Sequence, residues 1–295
     1  DLHPRVRRQR QMCIRDRLDT RLQKAAYEAL EDYRGAVVAI EPKTGKVRAL
    51  VSKPDFDPNK LDDIWDKITS DSSESCLLNR ATQGLYPPGS TYKVLTALEY
   101  MEEHPNSYKN FSYECDGQTI VNSVRISCYE NEEHGEVDLD RAFAKSCNTA
   151  FVTLGSKLDI KNFVSLNKKC LFNQEIPFDI GMTSSQYSNS EAIDSEVQLA
   201  DSGYGQGQML VNPLHLACMY SAFFNEGNMI TPYLEYEEGK TASYWAEGVF
   251  TPEAANIIYE DLKEVVSNPN GTGYGADSYT HLRAHETRRH LVCRL

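Results

Sequence analysis

Apolar positions along the chain fall into blocks whose spacing changes from helical to alternating and back. Residues 18–34 (LDTRLQKAAYEALEDYR) place Leu22, Ala26, Ala29, Leu30 and Tyr33 on one face, the pattern of an amphipathic helix. "GAVVAIE", the turn "PKTG" and "KVRALVS" follow, rich in Val and Ile on the first arm and closed by Gly45, which predicts a β-hairpin. Residues 54–86 are polar and irregular. In "PPGSTYK", Pro87 to Lys93, two prolines and a glycine stop what precedes them. Val94, Ala97, Leu98 and Met101 then recur at helical spacing, so Ser90 belongs at the first turn of a helix, with Lys93 three residues on along the same face.

Further along, "FSYECDG…VRISCY" predicts a second hairpin. A helix from about Leu139 to Lys145 precedes Ser146-Cys147-Asn148, and an apolar run (Ala150, Phe151, Val152, Leu154) follows it. Residues 159–172 form another helical stretch. "NPLHLACMYSAFFNEGN" carries the punctuation of a buried helix, with Asn212 as cap, Pro213 at the first position and Gly227 past the end. "TPEAANIIYEDLKEVV" repeats that pattern from Thr251. Strand pairs followed by many helices, without a βαβ rhythm, predict an α+β fold.

The chain has 295 residues, 40% of them hydrophobic, enough for a sizeable core. No apolar run reaches the roughly 18 residues that a spanning helix needs. The net charge of −12 argues against a nucleic-acid surface, but that charge is unevenly spread. Residues 1–17 and 278–295 are basic and hold ten of the sixteen Arg, while all fifteen Lys lie between them. "MCIRDR" and "YTHLRAHET…LVCRL" resemble translated sequencing adapters, so both ends are set aside as foreign to the fold, with 18–277 as the domain. A pair of basic tails for an acidic partner is the alternative.

Six Cys lie in the interior: Cys76, Cys115, Cys128, Cys147, Cys170 and Cys218. No C-x-x-C is present, so neither a zinc ribbon nor a thioredoxin-type motif is indicated. Cys115 and Cys128 flank the second hairpin and could face each other across it, as a disulfide or as two reduced thiols. His134 and His215 stand apart from a second ligand type at metal spacing, so each reads as a packed or exposed histidine, and no metal or other cofactor is expected.

Ser90 and Lys93 have the chemistry of a nucleophile and its base. A serine hydroxyl attacks poorly until its proton is removed, and a lysine one turn away can take it only when neutral. Backbone N–H groups at the helix start add an oxyanion donor. S-x-x-K alone occurs by chance in many proteins, and on its own a capped helix with a solvated lysine is much the better explanation. In company it says more. "PPGSTYK", "SCN", "VVAIEPKTGKVRALVSKPDFDPN", "LLNRATQGLYPPGSTYK", "HGEVDLDRAFAKSCNTAF", "YGQGQMLVNPLHLACMYSAFFNEG" and "VVSNPNGTGYGA" together resemble the transpeptidase domain of class B penicillin-binding proteins, in that order.

The resemblance implies the fold shared by penicillin-binding proteins and serine β-lactamases, an antiparallel sheet with helices around it. It implies acyl transfer from D-Ala-D-Ala stem peptides of peptidoglycan, with Ser90 as nucleophile, Lys93 as general base, Ser146 relaying a proton to the leaving amine and Asn148 holding the substrate amide. β-Lactams would be caught at Ser90 as stable acyl-enzymes. It further implies a domain at the extracytoplasmic face of a bacterial membrane, working with membrane glycosyltransferases, with no resident cofactor. The family's catalytic K-T-G should follow Asn148. The K-T-G present here, Lys43-Thr44-Gly45, lies on the first hairpin turn, before Ser90, and is a decoy. The C-terminal strands are therefore expected to be missing, and the chain as written to be nearly inactive. A D,D-carboxypeptidase, a serine β-lactamase and a non-catalytic cell-wall-binding module are the rival functions. "GYGQG" (Gly203 to Gly207) lacks the preceding strand and spacing of a nucleotide loop.

Overall fold

A computed structural model describes residues 18–70, 74–121, 123–188, 196–235 and 239–274; the two basic ends lie outside them. The N-terminal helix is shorter than its periodicity suggests. α1 runs Thr20–Ala29, because the Asp19 carboxylate accepts from the backbone N–H groups of Arg21 and Leu22 and fixes the start there. β1 (Gly35–Ile40) and β2 (Val47–Lys53) form the expected antiparallel hairpin, with Ala39 opposite Ala49 and a bulge at Ile40. One face of the hairpin packs Ala39, Ala49 and Val51 against Ala26 and Leu30 of α1. The other face packs Val38 and Ile40 against Leu214, Cys218 and Ile230. Burial on both faces explains the near-continuous apolar run of β1.

The polar stretch 54–86 is not wholly irregular: α2 spans Leu61–Ser70, with Leu61, Ile64, Trp65 and Ile68 at helical spacing, an apolar stripe that the reading of this stretch as loop passed over and that the fold leaves half-buried at most. After a 3-10 turn at Gly89–Tyr92, α3 (Lys93–Glu103) crosses the main core with Val94, Leu95, Ala97, Leu98 and Met101 all buried. Its polar Lys93, Thr96 and Glu99 are buried along with them, so α3 lies inside despite a mixed sequence.

The second hairpin is rearranged relative to the sequence reading. β4 (Gln118–Val121) pairs with β5 (Val124–Ser127), while β3 (Tyr113–Cys115) pairs with β6 (Gly135–Val137). Gly117, at φ +85°, turns the chain between β3 and β4, and a Cβ there would lie 2.3 Å from the Asn131 carbonyl oxygen.

α4 (Leu139–Ala144), α5 (Asn148–Gly155) and α6 (Ile160–Lys169) follow, the last two capped by Cys147 and Asp159. α7 (Glu196–Gly203) was not foreseen; its end merges into the glycines of "GYGQG", which read as loop. α7 meets α5 through two glycines: a Cβ on Gly155 or on Gly203 would stand 2.8 Å from the other's Cα. α8 (Pro213–Ser221) starts at the Asn212 cap as expected but gives way to a 3-10 turn at Ala222–Phe224 before Gly227. β7 (Met229–Ile230) pairs with β8 (Tyr244–Ala246), and α9 (Pro252–Ser267) starts at its Thr251 cap. The fold is α+β, and no helix among the described residues is long and apolar enough to cross a membrane.

Candidate active site

Ser90 sits in the 3-10 turn before α3, its side chain exposed. No side chain caps that turn, so Ser90 is not the N-cap that a purely structural reading would make it. The turn is held from outside. Gly89 N–H donates to the Gly205 carbonyl (2.9 Å), and a Cβ on Gly205 would come within 1.9 Å of the Gly89 oxygen. Tyr220 Oη donates to the Thr91 carbonyl at 2.7 Å, and the Tyr92 hydroxyl to Asn167 Oδ1 at 2.5 Å. The glycines of "GYGQG" therefore let a second backbone run against the serine turn.

Lys93 is only 2% exposed. Its Nζ donates to Ser146 O (2.7 Å), Ser146 Oγ (2.9 Å) and Asn148 Oδ1 (2.7 Å). The solvated lysine of the simpler reading is excluded. Burial lowers its pKa to about 7, an effect opposed by the nearby thiols of Cys147 and Cys128. Close to neutral pH the amine is thus divided between its charged and neutral forms. As an ammonium it satisfies all three acceptors; as a neutral amine it can take a proton instead.

Ser146 and Asn148 reach Lys93 from the junction of α4 and α5. Ser146 adopts φ +50°, which folds its carbonyl and hydroxyl towards the same ammonium. Asn148 also donates from Nδ2 to the Ser127 carbonyl at 3.0 Å, tying the motif to the end of β5. Three of the four residues singled out from sequence thus meet directly, and Ser90 lies one 3-10 turn ahead of Lys93. Lys43-Thr44-Gly45 lies where expected, on the β1–β2 turn, where Gly45 at φ +79° packs under the Thr231 carbonyl and Thr44 Oγ1 donates to Glu41.

Beside this triad the fold assembles a group that sequence reading had dispersed. Cys115, Cys128, His134 and Cys147, all buried, bring their ligand atoms within 4.8 Å of one another. Cys115 Sγ lies 3.8 Å from Cys128 Sγ and 3.3 Å from His134 Nδ1, and Cys128 Sγ lies 3.8 Å from Cys147 Sγ. Cys115 and Cys128 do face each other, as free thiols. The reading of His134 as isolated from other ligand types fails: β3, β5 and the strand-to-helix loops bring together residues too far apart for any short motif. His215 is the packed histidine expected, with Nδ1 2.7 Å from Ser185 Oγ and Nε2 2.7 Å from the Cys170 carbonyl. Hydrogen bonding from Cys147 lowers the pKa of the Cys128 thiol, and the same pairing pushes the Cys147 thiol up.

The sequence pattern described as "Penicillin binding protein transpeptidase domain" matches residues 35–284. Penicillin-binding protein 3 of Bacillus subtilis (strain 168) is 33% identical over 271 residues, which cover 87% of this chain and 39% of that protein. Peptidoglycan D,D-transpeptidase PbpA of Mycolicibacterium smegmatis is 32% identical over 229 residues, covering 72% of this chain and 46% of that one. The chain therefore spans less than half the length of these two relatives. Among solved structures, the ceftriaxone acyl-enzyme complex of penicillin-binding protein A from M. tuberculosis superposes with a TM-score of 0.75 at 25% identity, over 84% of this chain and 60% of that one.

Proposed function

The chain belongs to the class B penicillin-binding proteins, and on that premise we propose that it carries the acylating half of a peptidoglycan D,D-transpeptidase, with Ser90 as the nucleophile. The observation that supports this most is Lys93: a lysine buried to 2% exposure, lowered to about 7, and in contact with both polar residues of the "SCN" motif. Burial outweighs those contacts enough to make the neutral amine accessible near neutral pH, which is the form a general base needs.

In the proposed reaction, neutral Lys93 takes the Ser90 Oγ proton as the oxygen attacks the carbonyl of the penultimate D-Ala of a stem peptide. The Ser90 N–H donates to the developing oxyanion. The proton passes through Ser146 Oγ, 2.9 Å from Nζ, to the departing amine of the terminal D-Ala. The Asn148 side chain holds the substrate's amide. An acyl-enzyme remains at Ser90, and the amine of a second stem completes the cross-link. A β-lactam entering the same site opens its ring on Ser90 and leaves no departing fragment, which makes the adduct long-lived. The M. tuberculosis relative, solved as acyl-enzymes with ceftriaxone and penicillin G, supports that reading. We place the domain outside the cytoplasmic membrane, where its stem-peptide substrate is, alongside membrane glycosyltransferases.

The test is exposure of the purified chain to penicillin G, followed by intact-mass analysis and peptide mapping. The adduct is expected on Ser90 and absent from Ser90→Ala. An adduct that persists in Ser90→Ala would refute the assignment.

A further inference from the structure

We propose that Cys115, Cys128, His134 and Cys147 bind one zinc ion as a closed tetrahedral site, and that this ion fixes the "SCN" motif beneath Lys93. The spacing of the ligand atoms fits. Zinc holds thiolate sulfur at about 2.3 Å and imidazole nitrogen at about 2.0–2.1 Å, so tetrahedral geometry sets sulfurs about 3.8 Å apart and sulfur to nitrogen about 3.5 Å apart. The Cys115–Cys128 and Cys128–Cys147 sulfur pairs are each 3.8 Å apart, Cys115 Sγ is 3.3 Å from His134 Nδ1, and the remaining three separations among the four ligand atoms lie within 4.8 Å. Three thiols and one imidazole, all buried and drawn from four separate segments, converge within the reach of a single ion.

The surroundings are those of a metal site. His134 turns Nδ1 to the thiols and its Nε2 towards the Glu132 carboxylate, 3.6 Å away, on the side where a metal-bound histidine is commonly supported by a carboxylate. Thr149 Oγ1 lies 3.2 Å from Cys115 Sγ, and the Ala150 N–H donates to Cys147 Sγ at 3.5 Å, both contacts that support a thiolate. Three thiolates with one imidazole select zinc over magnesium or calcium, which take oxygen ligands. Four protein ligands leave no open position, so the ion is structural and supplies no Lewis acid to the reaction.

Its consequence is positional. Cys147 lies between Ser146 and Asn148, whose oxygens are the three acceptors of Lys93 Nζ. Cys128 follows Ser127, whose carbonyl accepts from Asn148. One ion would therefore pin both backbones that aim these acceptors. This positioning role rests on the reading of Ser90 and Lys93 given above; zinc binding does not.

Metal analysis of the full chain, purified without chelator, is expected to find one zinc per molecule. Cobalt exchanged into the site should give the sulfur-to-cobalt charge transfer and visible bands of a thiolate-rich tetrahedral centre, a readout that needs no variant. Cys115→Ser, Cys128→Ser and His134→Ala should each lose the metal. Cys218→Ser, a buried thiol outside the cluster, and Ser90→Ala should keep it. A folded, metal-free chain with no cobalt spectrum, or one two mass units lighter through a Cys115–Cys128 disulfide, overturns the site. Chelation that removes zinc should slow acylation of Ser90, and added zinc should restore it. Zinc bound with acylation unchanged by its removal overturns the positioning role and leaves the assignment of Ser90 standing.

Discussion

Burying a lysine amine in a site meant to hold it neutral must cost stability when the amine is charged, and that cost can be read without any substrate. Lys93 is lowered from 10.5 to about 7, first by loss of solvent. Between those values the unfolded chain keeps the proton and the folded chain releases it, so stability rises with pH by up to about 1.4 kcal/mol per unit. Below about 7 both states carry the proton and the penalty is fully expressed; above 10.5 neither does and it is gone. From pH 7 to pH 9 the gain comes to about 2 kcal/mol. Lys93→Met keeps the stem's length, removes the titration, and leaves Ser146 and Asn148 without their donor, a loss that does not vary over this range. Urea unfolding of both proteins at pH 7 and pH 9, followed by circular dichroism, isolates the lysine as the change in their difference. The wild type should gain about 2 kcal/mol on the variant across those two units. Parallel behaviour, within about 0.5 kcal/mol, would show that the amine keeps an ordinary pKa in the folded protein and would remove the main support for a base at this position.

Two further outcomes follow from individual contacts. Gly205 and Gly207 share φ +78°, but a Cβ on the first meets the Gly89 oxygen at 1.9 Å and on the second meets Asp201 Cβ at 3.2 Å. Gly205→Ala should therefore lower Tm by on the order of 10 °C, and Gly207→Ala by a few degrees; equal losses in differential scanning would mean that the close approach to the serine turn is not rigid. His215 is fully enclosed, and burial lowers its pKa to about 4 from 6.5, so protonation is resisted and stability falls as pH drops from 6.5 towards 4, by up to about 3 kcal/mol. Its ring resonances in NMR should stay those of the neutral form at pH 5.5; a midpoint near 6.5 would contradict the buried contacts to Ser185 and Cys170.

What the sequence made legible was whatever is written in neighbouring residues. Asn212-Pro213 and Thr251-Pro252 announced helix starts that the structure keeps, because a cap and its first turn are local. The β1–β2 hairpin and its K-T-G turn were readable from alternation and one glycine. α2 escaped although Leu61, Ile64, Trp65 and Ile68 recur at helical spacing, because the stripe is short, is set among acidic and polar residues, and meets no core that buries it fully. Lys93 was ambiguous between solvent and site, since S-x-x-K does not state how much of the chain will close over the amine. The thiol–imidazole cluster was invisible for the opposite reason: its ligands come from β3, the end of β5, the loop before β6 and the cap of α5, and only strand pairing brings them together.

The crossing of α5 and α7 has a bearing on how change at a distance reaches the site. Where Leu or Met side chains line a helix crossing, rotamer adjustments absorb a small displacement of one partner before the other feels it. Gly155 and Gly203 leave nothing of that kind between the two backbones. Thr96 of α3, one turn beyond Lys93, donates to the Gly203 carbonyl at 2.7 Å and joins the serine helix to the same spot. The crossing is thus a mechanical joint without slack. A substitution that tilts α7, in a stretch of chain that never touches a substrate, would arrive undamped at both the nucleophile's helix and the helix that carries Asn148.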